Sequence, residues 1–405
     1  EQTDAVQEVY SQGALETIKD IAEECESELP SPEALRTRND DEIQTCRNRL
    51  AEGEPPLQIK PKASEPATTM KPGTEVYDNA DVVTTGQAYK PHFMVHGVNV
   101  SYGAFMGDNE DSTVRTLEHN AISHQNIRGV VDGTLLVQRP GKPDLRLEED
   151  QGVLHVRVPG FDDVGMVGRQ TISGIQDIPA PLVDLTLLVH HCGAQMMEKY
   201  NGIFVFLPKM RTLDDINVME TIAEKLEGKY GVKIYYSVLI ENPRLQQYIH
   251  EIAASQRVIC LNTGLWDWLQ YFTGTLIQAD QNQVTAQKTR QVAPHLMSKI
   301  PALGAYKDLV REACEQAGII NQGGMDVTVP PKDPSQLRRT LNEVERGKQR
   351  NHLLYLTAQE WSGNVALSET IARPAHELRV VEEGLRQISD FLKNQHSSGQ
   401  LRLFR

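Results

Sequence analysis

Two apolar runs joined by one helical segment restrict the fold of this 405-residue chain more than any other feature. Ile203–Leu207 and Lys233–Ile240 are rich in β-branched and aromatic residues, which is typical of buried strands. Between them, Thr212–Tyr230 begins with acidic residues and continues with apolar residues at helical spacing. Parallel strands need a crossover of this length, whereas antiparallel neighbours are joined by short turns. The sequence therefore predicts a parallel βαβ unit.

Further strands and helices alternate on both sides of this unit. Strands are predicted at Phe93–Val98, Ala104–Gly107, Val153–Val158 and Val258–Leu261, and near Ile319. A helix is predicted over Leu303–Gln316, with Gly318 placed to end it. Between residues 91 and 375 there is room for enough repeats to build an α/β fold of the (β/α)8 barrel type. A doubly wound open sheet has the same local pattern, so these residues alone leave both folds open.

Four segments are expected along the chain. Residues 1–50 carry apolar residues at helical spacing and are predicted to form an N-terminal helical segment. Residues 51–90 contain prolines that interrupt any regular period, so we expect a Pro-rich linker or clasp there. The barrel core is expected over residues 91–374, with its start near Pro91. Residues 375–405 are predicted to contain a short C-terminal helix, Ala375–Asn394, followed by a tail.

Composition argues against several classes of function. The chain has 41 Lys and Arg against 55 Asp and Glu, a net charge of −14, so neither nucleic acid nor an anionic membrane is an expected partner. No apolar run approaches the roughly 18–20 residues of a membrane helix, and the acidic start is unlike a signal peptide, so we expect a cytoplasmic protein. The five cysteines form no CxxC pair, which argues against a zinc cluster. No P-loop or GxGxxG string supports ATP or dinucleotide binding.

Polar residues follow the predicted strands at their C-terminal ends, which is where barrel enzymes place their active sites. These residues are Asp108–Asp111, Arg157, Lys209, Glu241, Asn262, Asp267 and the Gly323–Gly324 pair. Glu241 is the most informative, because an unpaired carboxylate half inside a barrel mouth is unfavourable and needs a cation. Together with Asp267 it suits Mg²⁺, which takes one or two carboxylates and several waters. An ion pair from Glu241 to Arg157 or Lys209 is the structural alternative.

The segment Leu261–Asp267 offers backbone N–H groups in a tight loop beside this proposed metal site. Such a nest of N–H groups can hold a carboxylate oxygen of a small 2-oxo acid. Gly264 has no side chain and permits the close approach that this binding requires.

These residues, in this order, resemble motifs of the malate synthase family. Gly107–Ser112 resembles the family's Leu-Glu-Asp-Ser segment, Val156–Gly160 resembles Val-Arg-Pro-Arg-Gly, and Leu207–Met210 matches Leu-Pro-Lys-Met. The later matches are Val238–Glu241 to Val-Leu-Ile-Glu, Leu261–Asp267 to Leu-Asn-x-Gly-Arg-Trp-Asp, and Gly323–Met325 to Gly-Gly-Met. The resemblance covers about residues 93 to 335.

The resemblance implies a TIM barrel that condenses acetyl-CoA with glyoxylate, through an enolate, to give malate and free CoA. Glu241 and Asp267 would then hold Mg²⁺, and Arg157 would stabilise the enolate oxygen. The implied partners are a small-molecule 2-oxo acid and an acyl-CoA, and a homo-oligomer is left open.

The same resemblance assigns the substrate-binding residues. The N–H groups of Gly264, Trp266 and Asp267 would bind the glyoxylate carboxylate. Glu110 would lie around the site without touching the metal.

The chain departs from the family pattern in three places. Trp361–Ser368 keeps little of the family's Asp-Gly-Thr-Trp-Val-Ala-His-Pro, and Pro159 replaces the second arginine of Val-Arg-Pro-Arg-Gly. The family's general base is an aspartate in a Glu-Asp-Ala-Ala-Thr string of its C-terminal domain, and neither that string nor that domain is expected here. Asp326, directly after the Gly-Gly-Met match, is our candidate for the catalytic base from its position.

Three hypotheses follow from this pattern. The first is a malate synthase-like, Mg²⁺-dependent acyltransferase that forms a carbon–carbon bond with a 2-oxo acid. The second is a related lyase or aldolase of a biosynthetic pathway that uses a different substrate. The third is a non-catalytic relative that binds a metabolite or a protein partner. The charged residues Glu241, Asp267 and Arg157 favour the first two, whereas the altered C-terminus favours the second over strict malate synthase activity.

Overall fold

Eight parallel strands close into a barrel in the computed structural model, which describes residues 4–53, 65–78, 82–99, 103–111, 113, 116–161, 169–172, 175–271, 301–325 and 355–357. Each barrel strand pairs with the one that follows it in the chain, and the last strand pairs with the first. The strands are β1 Val82–Gln87, β2 Gly103–Asp108, β3 Val153–Arg157, β4 Ile203–Leu207, β5 Ile234–Leu239, β6 Val258–Asn262, β7 Ile320–Met325 and β8 Tyr355–Thr357. The predicted (β/α)8 barrel is therefore confirmed, and the alternative of a doubly wound open sheet is excluded.

Helices surround the barrel and precede it in the chain. They are α1 Asp4–Val9, α2 Gln12–Glu24, α3 Pro32–Ala51, α4 Pro91–Asn99, α5 Leu117–Val131, α6 Ala180–Tyr200, α7 Leu213–Tyr230, α8 Ile249–Ala254, α9 Leu265–Tyr271 and α10 Pro301–Ala317. In the N-terminal helical segment, α1 packs against α5 and α2 packs against α6, so these helices add an outer layer to one side of the barrel. Within the described residues, no helix is both long enough and apolar enough to cross a bilayer.

The predicted βαβ unit is β4, α7 and β5, and its ends are set by local chemistry. Thr212 and Asp215 form a capping box at the start of α7, and Gly231 ends the helix with a φ of 66°. All five residues of β4 are buried, because helices cover the outer face of the barrel and side chains fill its interior. The helix predicted over Leu303–Gln316 is likewise present as α10 and ends before Gly318, whose φ is 65°.

The strand predicted at Phe93–Val98 is wrong, because these residues lie in helix α4. The N–H of Met94 donates to the carbonyl of Lys90, and Met94 and Val98, four residues apart, are both fully buried. A short apolar run does not distinguish a strand from a buried helix, and Pro91 is well tolerated in a first helical turn. The first barrel strand is instead β1, which lies before Pro91 in the stretch expected to be a linker.

The segment before β1 crosses the end of the barrel where the strands begin. The N–H of Ala67 donates to the carbonyl of Glu315, and the Lys71 ammonium donates to the carbonyls of Ala253 and Ser255 at 2.5 and 2.7 Å. Tyr77 enters the barrel interior, where its hydroxyl lies 2.7 Å from Ser237 Oγ. This end is therefore filled, and the opposite end carries the polar residues. The C-terminal helix expected over Ala375–Asn394 lies outside the described residues.

A pair of glycine substitutions tests the packing of α4 on the barrel. Alanine usually stabilises a helix over glycine by about 0.5–1 kcal/mol. At Gly97, however, a Cβ would overlap the fully buried Phe105 ring of β2. Because overpacking costs about 1–3 kcal/mol, Gly97→Ala should lower the free energy of unfolding. Gly228→Ala in α7, where nothing lies within 4 Å of the added Cβ, should raise it. Urea unfolding of both variants measures the difference, and equal effects would contradict it.

Candidate active site

The C-terminal ends of β2 to β6 bring the predicted polar residues together. Asp108 ends β2, Arg157 ends β3, and the two residues are paired in the strand register. Lys209 and Glu241 follow β4 and β5, and Asp267 lies in the first turn of α9, just after β6. Because the strands are parallel, all of these side chains start from the same end of the barrel.

Arg157 is held by a two-pronged ion pair with Asp108. Its Nε and Nη2 donate to the two Asp108 carboxylate oxygens at 2.7 and 2.8 Å, and its Nη1 lies 3.4 Å from Glu110 Oε2. Arg157 is 8% exposed. Although burial alone would lower the pKa of Arg157, Asp108 and Glu110 raise it well above its usual value. The guanidinium is therefore charged and fixed at the barrel mouth.

Lys209 connects the loops after β2, β4 and β5. Its backbone N–H donates to Glu241 Oε2 at 2.8 Å, while its ammonium contacts the carboxylates of Glu110 and Asp111. Its φ is 54°, a left-handed conformation that costs a residue with a side chain about 1–2 kcal/mol. Gly160 permits this turn to pack closely, since a Cβ there would lie 3.0 Å from the Lys209 Cβ. Surrounding contacts therefore hold Lys209 in an unfavourable conformation, which is common at functional sites.

Glu241 is a buried carboxylate with negative neighbours. It is 3% exposed, and burial together with the charges of Asp267 and Glu110 raises its pKa to about 8. Burial also raises the pKa of Asp267. Gly264 makes room for this arrangement, because a Cβ at that position would overlap the Glu241 side chain. Lys209 contacts Glu241 through its backbone N–H, and within the described residues no ion pair joins Glu241 to the side chain of Arg157 or Lys209, the alternative considered above.

Two further carboxylates complete the cluster. Burial raises the pKa of Glu110 to about 7, against the opposing effect of Arg157. For Asp111, burial acts in the raising direction, but Arg157 and Lys209 prevail and lower its pKa. Among the described residues, the mouth thus contains more carboxylates than positive side chains to balance them, and the excess lies around Glu241.

This arrangement fits a divalent cation with hard oxygen ligands. Within the described residues, no group of three or more His, Cys, Asp or Glu side chains is placed to hold a metal ion together. Mg²⁺ does not require such a group, since it is usually bound by one or two carboxylates and retains several waters. The pair of Glu241 and Asp267 therefore suffices in number and in chemistry.

The proposed substrate-binding loop leads from β6 into α9. Gly264 precedes the helix, and Trp266 and Asp267 lie in its first turn, where backbone N–H groups have no acceptor within the helix. The candidate base Asp326 lies outside the described residues.

Two contributions to the site were not foreseen from the sequence. Asp108 was recognised only as a polar residue at a strand end, whereas it is the main partner of Arg157. Asp184 was not considered, yet it lies within hydrogen-bonding distance of Asn109 in the loop after β2. A sequence feature was available in the second case, because Asp184 is a lone charge in the apolar first half of α6.

Residues 154–387, more than half of the chain, match the family model described as malate synthase, TIM barrel domain. The chain belongs to the malate synthase TIM-barrel family. Malate synthase A of Escherichia coli (strain K12) is 24% identical over 266 residues, which cover 63% of this chain and 47% of that protein. Malate synthase of Oryza sativa subsp. japonica is 24% identical over 276 residues, covering 65% and 47%. This malate synthase family member thus spans about half the length of the curated relatives it matches.

Solved structures similar to this malate synthase family member include citrate lyases. A citrate lyase from Burkholderia xenovorans LB400 matches with a TM-score of 0.47 and 15% identity, covering 79% of this chain and 83% of the other. The citrate lyase beta subunit of M. tuberculosis, complexed with oxaloacetate and magnesium, matches with a TM-score of 0.44 and 12% identity, covering 77% and 99%.

In the absence of divalent cations, the free energy of unfolding should fall as the pH rises towards 8. Glu241 has a pKa of about 8 in the folded protein against 4.5 as its ordinary value, so folding favours its protonated form. That stabilisation is complete below the unfolded pKa and is lost as the pH rises through the folded one. Urea unfolding in EDTA between about pH 7 and 8, above the ordinary histidine pKa of about 6.5, should show a smaller decline for Glu241→Gln. The same change at the exposed Glu16 is the control, and equal declines in all three proteins would contradict the assignment.

Proposed function

We propose that this protein is a Mg²⁺-dependent enzyme that forms a carbon–carbon bond between the enolate of an acyl-CoA, such as acetyl-CoA, and a 2-oxo acid, such as glyoxylate. One observation carries the proposal: the buried carboxylate of Glu241, the half-buried Asp267 and the fixed guanidinium of Arg157 share one end of the barrel. Membership of the malate synthase family supports the same class of chemistry.

Glu241 and Asp267 would hold the cation between the ends of β5 and β6. Their raised pKa values mean that the two carboxylates are hard to ionise without a positive partner, so cation binding and ionisation favour each other. When bound, Mg²⁺ acts as a Lewis acid that polarises the carbonyl group of the 2-oxo acid.

Arg157 would face the negative charge that develops on the enolate oxygen. Two of its nitrogens are held by Asp108, so the guanidinium needs little reorganisation during the reaction. Its remaining nitrogen, Nη1, lies near Glu110 and Asp111 at 3.4 and 3.6 Å, on the side of the guanidinium away from the Asp108 pair. A buried charge held in this way stabilises a developing charge more than a solvated one does.

The loop after β6 would orient the 2-oxo acid. Backbone N–H groups of Gly264, Trp266 and Asp267 are the proposed donors to its carboxylate, at the start of α9. Glu110 touches Lys209 and Arg157, so its role in the proposal is to orient these two cations.

The base that removes a proton from the acyl methyl group is proposed to be Asp326. This assignment comes from its place in the sequence, directly after Met325, the last residue of β7. Loss of a positioned base usually costs about 10²–10⁴ in rate. Asp326→Asn should therefore abolish most thiol release from acetyl-CoA.

Mg²⁺ should bind through Glu241. Calorimetric titration of the wild-type protein with Mg²⁺ in the presence of glyoxylate should give a saturable heat that Glu241→Gln lacks, because the variant loses one negative oxygen ligand while keeping its size. Glu220→Gln serves as the control, since Glu220 is a partly buried carboxylate paired with Arg257 outside the candidate site. Metal binding of equal strength in all three proteins would exclude Glu241 as a ligand.

Arg157 should be required for turnover and not for folding. Arg157→Lys keeps a positive charge but loses the planar fork that Asp108 holds. We expect thiol release from acetyl-CoA with glyoxylate and Mg²⁺ to fall by about 10²-fold or more, as for the loss of one preorganised donor. A disulfide dye measures the released thiol, and the far-ultraviolet circular dichroism should be unchanged. Full activity of Arg157→Lys would refute the role of Arg157 in stabilising the enolate. If the wild-type protein released no thiol with any 2-oxo acid, the lyase or aldolase hypothesis would be favoured instead.

A further inference from the structure

A buried hydrogen-bond network lies behind the candidate site and is centred on Asp184. This residue is 1% exposed and lies in the first half of α6. Its Oδ2 accepts from Asn109 Nδ2 at 2.9 Å, and its Oδ1 accepts from Asn120 Nδ2 at 2.5 Å and lies 3.0 Å from His124 Nε2. The three partners come from the loop after β2 and from α5. A carboxylate so far from solvent is unfavourable unless it is well supplied with donors, and here it is.

Asn109 connects this network to the site through its place in the chain. It stands between Asp108 and Glu110, two of the residues that contact Arg157. Its own backbone N–H donates to the carbonyl of Arg157 at 3.0 Å. The Asn109 side chain bonds to Asp184 while the side chains of Asp108 and Glu110 contact the guanidinium, so this hydrogen bond constrains the turn that carries both carboxylates.

The network also extends away from the site to the N-terminal helices. Tyr10, at the end of α1, donates its hydroxyl proton to Asn120 Oδ1 at 2.7 Å. Asn120 in turn donates to Asp184. A continuous path of buried hydrogen bonds therefore leads from the outer helical layer to the loop that holds Arg157.

We propose that Asp184 is a positioning residue for the reaction, acting through Asn109 to fix the Asp108–Glu110 turn and with it the guanidinium of Arg157. The proposal rests on the proposed function for its catalytic consequence only. Its structural consequence, the immobilisation of Arg157, is measurable without substrate.

An exchange of the two side chains provides the test. Asn109→Asp places a carboxylate against the Asp184 carboxylate. The two negative groups repel, so the hydrogen bond between residues 109 and 184 should be lost. Asp184→Asn should be mild, because the Asn109 amide can rotate and present its oxygen to the new amide; within the described residues this oxygen accepts no hydrogen bond in the wild type. The double variant Asn109→Asp, Asp184→Asn restores a carboxylate–amide pair in the reverse direction. Asn109→Ser removes the hydrogen bond to Asp184 without adding a charge, and it remains informative if Asn109→Asp does not fold.

The measurement is the hydrogen exchange of the Arg157 Nε proton, observed by NMR on ¹⁵N-arginine-labelled protein and assigned by its loss in Arg157→Lys. The wild-type proton is hydrogen-bonded to Asp108 and should exchange slowly. Asn109→Asp and Asn109→Ser should accelerate exchange by at least about tenfold, and the double variant should return it to near the wild-type rate. In the thiol-release assay, kcat should fall by about 10²-fold in Asn109→Asp and in Asn109→Ser and recover in the double variant, since small displacements of a catalytic group have effects of this size.

A control separates positioning from general loss of stability. Tyr236→Phe removes a buried hydrogen bond to the Met219 carbonyl, outside the network, so it should lower the melting temperature without changing exchange at Arg157. Unchanged exchange in a folded Asn109→Ser would overturn the proposal, as would a stable double variant in which exchange stays fast. If the wild type released no thiol, the proposed function would fail, but the exchange rates would still decide the role of Asp184.

Discussion

The ion pair between Asp108 and Arg157 is the interaction on which the candidate site depends. Both residues are buried, so each charge would be strongly unfavourable without the other. Strand register places them directly opposite each other at the ends of β2 and β3. The pair fixes the guanidinium, and it also fixes the turn through Asp108, whose Oδ1 accepts the Glu110 N–H at 2.9 Å. Burial, strand register and opposite charge therefore all stabilise the same contact between Asp108 and Arg157.

The rest of the site is held in an arrangement that does not favour stability. Lys209 keeps a left-handed backbone, and Glu241 is buried beside other carboxylates with a backbone N–H as a donor. A sequence optimised for stability alone would replace such features, which proteins retain mainly where function requires them. The cluster is thus better explained by the proposed function than by a contribution to folding.

The sequence predicts those parts of the structure that depend on local pattern. β4, α7 and β5 follow from apolar runs and from a segment with an acidic start and helical spacing, and the strand-end polar residues meet because parallel strands share one end. The helical nature of Phe93–Val98 was missed, because a short apolar run is the same in a buried strand and in a largely buried helix. The pairing of Arg157 with Asp108, and of Asn109 with Asp184, depends on side-chain geometry between distant segments. Such contacts leave only a weak trace in the sequence, such as one charge in an apolar helix.

The closure of the barrel has a consequence for how the chain folds during synthesis. Val82 of β1 pairs with Leu356 of β8, about 270 residues later in the chain. At roughly 5–20 residues per second, a ribosome needs on the order of 15–60 s to make the intervening segment. Until then, β1 has β2 on one side and an open edge on the other, a state in which a strand can pair with other chains. The residues before β1 bind carbonyls at the ends of α8 and α10, so these contacts also cannot form until those helices have been synthesised. Ring closure is therefore expected to be a late folding step, and the exposed edge of β1 marks the stage at which aggregation competes with it.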